Sequence, residues 1–110
     1  TLGEKARPYG SCPSGVPGIE TTLPLLIEAY HQGLLSLKNI VDLTSRRAKE
    51  IFQLPDYADD YVLVDLSLAR RVEEKQLKTK CQWSPFTGRL LRGWPVIIVL
   101  KNHVYDLARL

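Results

Sequence analysis

Apolar residues follow two rhythms along this chain, and the change falls at Pro55. Before it the spacing is helical. Leu23, Leu26, Ile27 and Tyr30 stand at i, i+3, i+4 and i+7, which places one apolar stripe on a helix. Thr21 or Thr22 supplies an N-cap, Pro24 sits in the first turn where a missing N–H costs nothing, and Gly33 ends the element. Ser36 caps a second predicted helix with Leu37, Ile40 and Val41 on one face. Ser45 opens a short third helix that should bury Ala48, Ile51 and Phe52 before Pro55 stops it.

After Pro55 the pattern turns to alternation and β-branched runs. Tyr61 to Leu66 reads as a strand with Val62, Val64 and Leu66 on a shared face, and Pro95 to Leu100 as a second. Lys101-Asn102-His103 can turn that strand back into Val104 to Leu107 as a hairpin. The charged stretch from Arg70 to Lys80 fits either an irregular edge strand or a loop, and Trp83 to Gly88 carries turn chemistry flanked by aromatics. Residues 1–18 have no period and are rich in Gly, Pro and Ser, which marks loop. Helices first and strands afterwards, without βαβ alternation, predict an α+β fold or pieces of two layers.

At 110 residues the chain is sized for one small domain. Its 45% apolar and 25% charged residues are ordinary for a globular protein, and no apolar run nears the roughly 18 residues that cross a bilayer. No signal-peptide pattern opens it, so a soluble, cytoplasmic protein is expected, with no membrane partner. Fifteen basic side chains against twelve acidic ones leave a net +3, too mild and too scattered to imply nucleic acid. Cys12 and Cys81 lack any disulfide or CxxC spacing and are expected as free thiols. The chain contains no methionine, even at position 1, which suggests a piece of something longer.

Candidate chemistry is sparse. His31, His103 and two distant cysteines are too few to converge on a metal, and His31, in the last turn of its helix, suits a structural role. Glu73, Glu74, Asp59 and Asp60 read as solvated faces. Gly15 and Gly18 make neither a P-loop nor GxGxxG, since no strand precedes them and no Gly-Lys-Ser/Thr follows. They do place main-chain N–H groups just ahead of a helix N-terminus, a position that favours an anion such as a carboxylate or is simply a structural loop.

Read together, the motifs resemble dihydroorotase of the long-chain type, in the amidohydrolase superfamily. There a metal-site Asp-His-Ala-Pro-His is followed by Thr-Leu-Glu-Glu-Lys, a Pro-rich loop, Pro-Gly-Phe-Pro-Gly-Leu-Glu-Thr and a Leu-rich helix. Here the similar residues are Thr1-Leu2-Gly3-Glu4-Lys5 and Ser14-Gly15-Val16-Pro17-Gly18-Ile19-Glu20-Thr21. Gly33-Leu34-Leu35-Ser36-Leu37, Ile51-Phe52-Gln53-Leu54, Tyr61-Val62-Leu63-Val64-Asp65-Leu66 and Trp83-Ser84-Pro85-Phe86-Thr87-Gly88 continue the likeness in order. Gly3 and Ser14 depart from it, as does the tail hairpin, which lacks the family's glycine.

The resemblance implies a C-terminal segment of a zinc hydrolase that interconverts N-carbamoyl-L-aspartate and L-dihydroorotate in pyrimidine biosynthesis. Residues 1–54 would be the last active-site loop and closing helices of a TIM barrel, and 55–110 the C-terminal strands of the adjoining small β-sandwich domain. The family's metal ligands lie outside these 110 residues, so zinc belongs to the parent enzyme and the isolated chain should hold none and be inactive. Main-chain groups of Ser14 and Gly15 would face the pyrimidine ring. The remaining barrel and the N-terminal strands of the same protein are the implied partners, with a homo-oligomer as a further expectation. Alternatives are another cyclic amidase, such as a dihydropyrimidinase, hydantoinase or allantoinase-like protein, and a non-catalytic assembly module or pseudoenzyme segment.

Overall fold

A computed structural model of the chain describes residues 1–57 and 59–108. Ala58, Arg109 and Leu110, which fall in the predicted β-domain span 55–110, lie outside the described residues. The elements run α1 (Leu2–Lys5), α2 (Thr22–His31), α3 (Leu37–Val41), a π-helical stretch (Asp42–Arg46), α4 (Arg47–Phe52), β1 (Tyr61–Arg71), a 3-10 turn (Glu74–Gln76), β2 (Leu90–Leu100) and β3 (His103–Asp106). Helices precede a three-stranded antiparallel sheet of order β1-β2-β3, which is the α+β arrangement expected. Among the described residues no helix is long and apolar enough to cross a membrane.

Capping sets the helix boundaries. Ser36 accepts from Asn39 N–H at 3.1 Å while the Asn39 side chain accepts from Ser36 N–H at 3.1 Å, a reciprocal box that starts α3. Thr21 occupies the N-cap of α2 without acting as a cap: its backbone is helical (φ −105°, ψ −12°), and its hydroxyl donates back to the Gly18 carbonyl. Gly33 follows α2 at φ +74°, and Gln53 ends α4 in the left-handed region. The helical run from Leu37 to Phe52 is continuous, with a π turn where a new start at Ser45 was expected. Asp42 bridges that turn, accepting from Lys38 Nζ at 2.8 Å and Arg46 Nε at 2.7 Å. The N-terminal loop also contains one turn of helix, α1, capped by Thr1.

The apolar stripe predicted for α2 is rotated in the fold. Pro24 and Ile27 are buried, whereas Leu26 and Tyr30 are only half-buried. Ile27 inserts against Gly93 of β2 so closely that a Cβ on the glycine would stand 2.1 Å from Ile27 Cγ2. Glu28 and His31 share this face and reach the sheet as hydrogen-bond partners, so the docking side of α2 is partly polar. On α3 and α4 Ile40 is buried, but Ile51 and Phe52 remain 71% and 72% exposed. The expected burial of these two residues is therefore not met within this chain, since no layer of the described residues lies over them.

Both long strands exceed their predicted limits and are interrupted once each. At Pro95, which has no N–H to offer a central strand, the register steps from Leu63↔Ile97 to Val64↔Pro95 and Val96 is left as a bulge. In β1 the register passes from Asp65↔Trp94 to Ala69↔Arg92, so Leu66, Ser67 and Leu68 face Gly93 alone. Asp65 Oδ1 closes this irregularity by accepting from Ser67 N–H, Ser67 hydroxyl and Leu68 N–H at 2.8, 2.7 and 3.1 Å. The β2–β3 turn uses Lys101 (φ 49°) and Asn102 (φ 64°), both left-handed, between the paired Leu100 and His103.

Candidate functional site

The loop leading into α2 is shaped by its own backbone. The Pro8 carbonyl accepts from Ser11 N–H at 3.1 Å and Cys12 N–H at 3.2 Å, while Lys5 Nζ donates to the Pro13 carbonyl. Gly10 (φ +92°) and Gly15 (φ +78°) take conformations that L side chains rarely adopt, so both turns need glycine. Ser14 and Gly15 stand side by side and exposed on this loop. A Cβ built on Gly15 would meet nothing within 4 Å, in keeping with the residue's exposure. The loop then tightens at Gly18, whose carbonyl accepts from Thr21 N–H (3.0 Å), Thr22 N–H (2.8 Å) and Thr22 hydroxyl (2.8 Å).

Just past the loop, Glu20 crosses to a different part of the chain. Its Oε2 accepts from Lys78 N–H at 3.1 Å and its Oε1 from Thr79 N–H at 2.8 Å. A narrow crevice lies between Pro17–Thr21 and the segment from Leu77 to Ser84. Beside it a larger, mainly apolar cleft of about 620 Å³ is bounded by Leu23, Val62, Val72, Leu77, Trp94 and Ile98. Ser14 and Gly15 line neither of them.

Carboxylates that accept backbone N–H groups recur through the fold. Glu28 Oε2 takes Arg92 N–H at 3.1 Å, Asp60 Oδ1 takes Lys101 N–H at 2.7 Å, and Asp65 closes its own bulge. The hydrogen bond from Arg92 holds the Glu28 carboxyl below its ordinary range, and the bonds from Ser67 do the same for Asp65. Asp60 is therefore not a solvated side chain as expected: it ties the start of β1 to the β2–β3 turn. Glu20, Glu28 and Asp60 have partners 41 to 64 residues away, a separation that leaves no local sequence signal. Asp65 alone carried one, the Asp-x-Ser spacing of an Asx turn.

Both histidines are bonded to backbone carbonyls, and the two cysteines stand apart. His31 Nε2 is bonded to the Leu66 carbonyl at 2.9 Å, His103 opens β3 with Nδ1 3.0 Å from the Lys101 carbonyl, and Cys12 and Cys81 are separate thiols. No three of His, Cys, Asp and Glu converge among the described residues.

Comparison with known proteins finds relatives over nearly the full length of the chain. It is 39% identical over 113 aligned residues to the dihydroorotase of Halobacterium salinarum, an alignment that takes in 96% of this chain and 27% of that enzyme. The chain matches a segment of the dihydroorotase family. It is also 36% identical over 92 residues to the multifunctional protein pyr1-3 of Dictyostelium discoideum, covering 84% of this chain and 4% of that protein. Thus it spans about a quarter of a stand-alone dihydroorotase and a far smaller share of a multifunctional relative. No family model matches the chain.

Among solved structures, the inactive dihydroorotase-like domain of the Chaetomium thermophilum CAD-like multifunctional protein superposes with a TM-score of 0.71 at 28% identity, over 94% of this chain and 28% of that one. The L-hydantoinase (dihydropyrimidinase) of Arthrobacter aurescens gives a TM-score of 0.78 at 24% identity, over 87% and 23%. This second likeness establishes a shared fold. The motifs by which dihydroorotase was read from the sequence thus sit in a fold common to dihydroorotase-like and hydantoinase proteins.

Proposed function

We propose that this chain is the C-terminal part of a dihydroorotase that interconverts N-carbamoyl-L-aspartate and L-dihydroorotate, and that it supplies a substrate-side loop to that reaction. The observation that carries the reading is the 39% identity to a dihydroorotase across 96% of the chain. In this reading residues 1–54 close the barrel and 55–110 complete the small β-domain. The barrel and the N-terminal strands of the same polypeptide supply the metal ligands and cover the exposed Ile51 and Phe52. Gly15 at φ +78°, with open space around it, suits a main chain that approaches a ring, and Ser14 beside it presents its own backbone groups. Zinc belongs to the rest of the enzyme, so the 110 residues alone are inactive.

A second reading rests on the likeness to an inactive dihydroorotase-like domain, and makes the parent a non-catalytic relative with the same architecture. One assay separates the two. The full polypeptide that carries this sequence is expected to cyclise N-carbamoyl-L-aspartate and to leave hydantoin untouched, while the 110-residue chain does neither. Turnover of hydantoin in place of dihydroorotate overturns the first reading in favour of a cyclic amidase of another specificity. No turnover of either substrate by the zinc-loaded polypeptide favours the non-catalytic relative.

A further inference from the structure

We propose that Glu20 is a positioning residue, a clamp that fixes where the Ser14–Gly15 loop stands; this rests on the reading of that loop as substrate-facing. Its two carboxylate oxygens accept one backbone N–H each from Lys78 and Thr79, segments 58 and 59 residues away. Hydrogen bonds to an ionised acceptor are the stronger kind, and two on one carboxylate define an orientation as well as a distance. Both sides of the clamp are themselves held. On one side the Gly18 carbonyl gathers the N–H groups of Thr21 and Thr22, so Glu20 sits inside a closed turn. On the other, buried Ser84 accepts from Phe86 N–H at 3.1 Å and Gly88 N–H is bonded to the Val72 carbonyl at 2.8 Å, which ties the 77–88 segment to the end of β1.

Docking of α2 does not depend on this clamp, because Ile27, Glu28 and His31 already hold the helix on the sheet. What Glu20 adds lies N-terminal to the helix. Only Val16, Pro17, Gly18 and Ile19 separate it from Gly15, and the Pro17 ring fixes one of the intervening torsions. The 77–79 segment, which follows β1, thereby sets the position of a loop that precedes α2. A displacement of about 1 Å at a substrate-contacting group is enough to cost one to two orders of magnitude in the reaction it serves.

The test uses the full polypeptide carrying this sequence, as wild type, Glu20→Ala and Glu20→Gln. In the alanine variant the KM for N-carbamoyl-L-aspartate is expected to rise about tenfold with kcat within about twofold, the signature of lost binding alignment. The glutamine variant keeps one acceptor oxygen and is expected to fall between, at about threefold. Amide exchange at Lys78 and Thr79 should quicken in the alanine variant. Faster exchange with an unchanged KM, in a polypeptide that turns over, overturns the positioning role and leaves the substrate reading standing. Unchanged exchange overturns the clamp itself. A wild type that neither cyclises N-carbamoyl-L-aspartate nor binds dihydroorotate overturns the substrate reading and this inference with it.

Discussion

His31 Nε2 donates to the carbonyl of Leu66 at 2.9 Å, joining the last residue of α2 to the bulge in β1. The carbonyl can only accept, so this nitrogen carries the proton. Register in β1 is lost from Leu66 to Leu68, and the helix supplies a partner that the neighbouring strand does not. A histidine near a helix C-terminus suits the negative end of the dipole, as its position in the sequence suggested, but its function here is to bridge two layers.

Replacing His31 tests the size of that bridge. His31→Ala leaves a partly buried carbonyl without its donor and should lower unfolding stability by about 1–2 kcal/mol. His31→Gln can still donate and should recover part of the loss. Urea titration of the full polypeptide, followed by a probe in this region, measures both.

Gly93 sets the distance between helix and sheet. Any side chain there meets Ile27 and must also adopt φ +96°, so Gly93→Ala should cost about 2–4 kcal/mol. Pairing it with Ile27→Ala relieves the collision and leaves the backbone strain. The double variant should therefore be less destabilised than the sum of the singles, and a double-mutant cycle reads the difference.

Acid should loosen the same junction. The Arg92 N–H bond depresses the Glu28 carboxyl below its ordinary 4.5, and the Ser67 bonds depress Asp65 below 3.8. A carboxylate with a lowered folded-state pKa contributes stability that is complete above the unfolded value and is lost as pH falls through the folded one. The contribution of these two carboxylates is thus expected to be flat from neutral pH to about 4.5 and to decline below it. Glu28→Gln should flatten part of that decline in denaturation curves taken between pH 5 and about 2.

Much of this fold is legible in the sequence where the signal is local. The 3.6-residue period before Pro55, the Ser36 cap, the Gly33 stop, the alternation around Val62 and the β-branched run from Val96 to Val99 all mark real elements. The extents of β1 and β2 are not legible, because Ser67 and Gly93 break the alternation at the positions where the strand bulges around the helix contact. The orientation of α2 is likewise hidden. Glu28 and His31 look like the polar face until their partners, Arg92 N–H and the Leu66 carbonyl, arrive from elsewhere in the chain. Ile51 and Phe52 show the limit of periodicity, which identifies an apolar face but not what covers it. For the candidate site, the Gly15 and Gly18 spacing marks a loop that offers main-chain N–H groups, and only the family motifs single out Ser14 and Gly15 as substrate-facing. Nothing local in the sequence points to Glu20, whose partners Lys78 and Thr79 lie far along the chain.

The β2–β3 turn offers a stabilising change. Lys101 and Asn102 both hold positive φ, the geometry for which Asn-Gly is the favoured pair. Lys101→Asn with Asn102→Gly should raise stability by about 0.5–1 kcal/mol, provided the Lys101 N–H bond to Asp60 is kept. Thermal melting of the variant checks the gain.

Within one turn and a half of α2, the helix meets the sheet by three unlike contacts: Ile27 in the hollow at Gly93, Glu28 on Arg92 N–H and His31 on the Leu66 carbonyl. Shape, charge and hydrogen-bond polarity must all coincide, so sliding the helix by one residue forfeits the three together. Such a junction behaves like a key with a single orientation. An intermediate tilt would satisfy fewer of the three contacts, so damage to any one tooth is expected to appear as a larger fraction of undocked helix rather than as a shifted docked geometry.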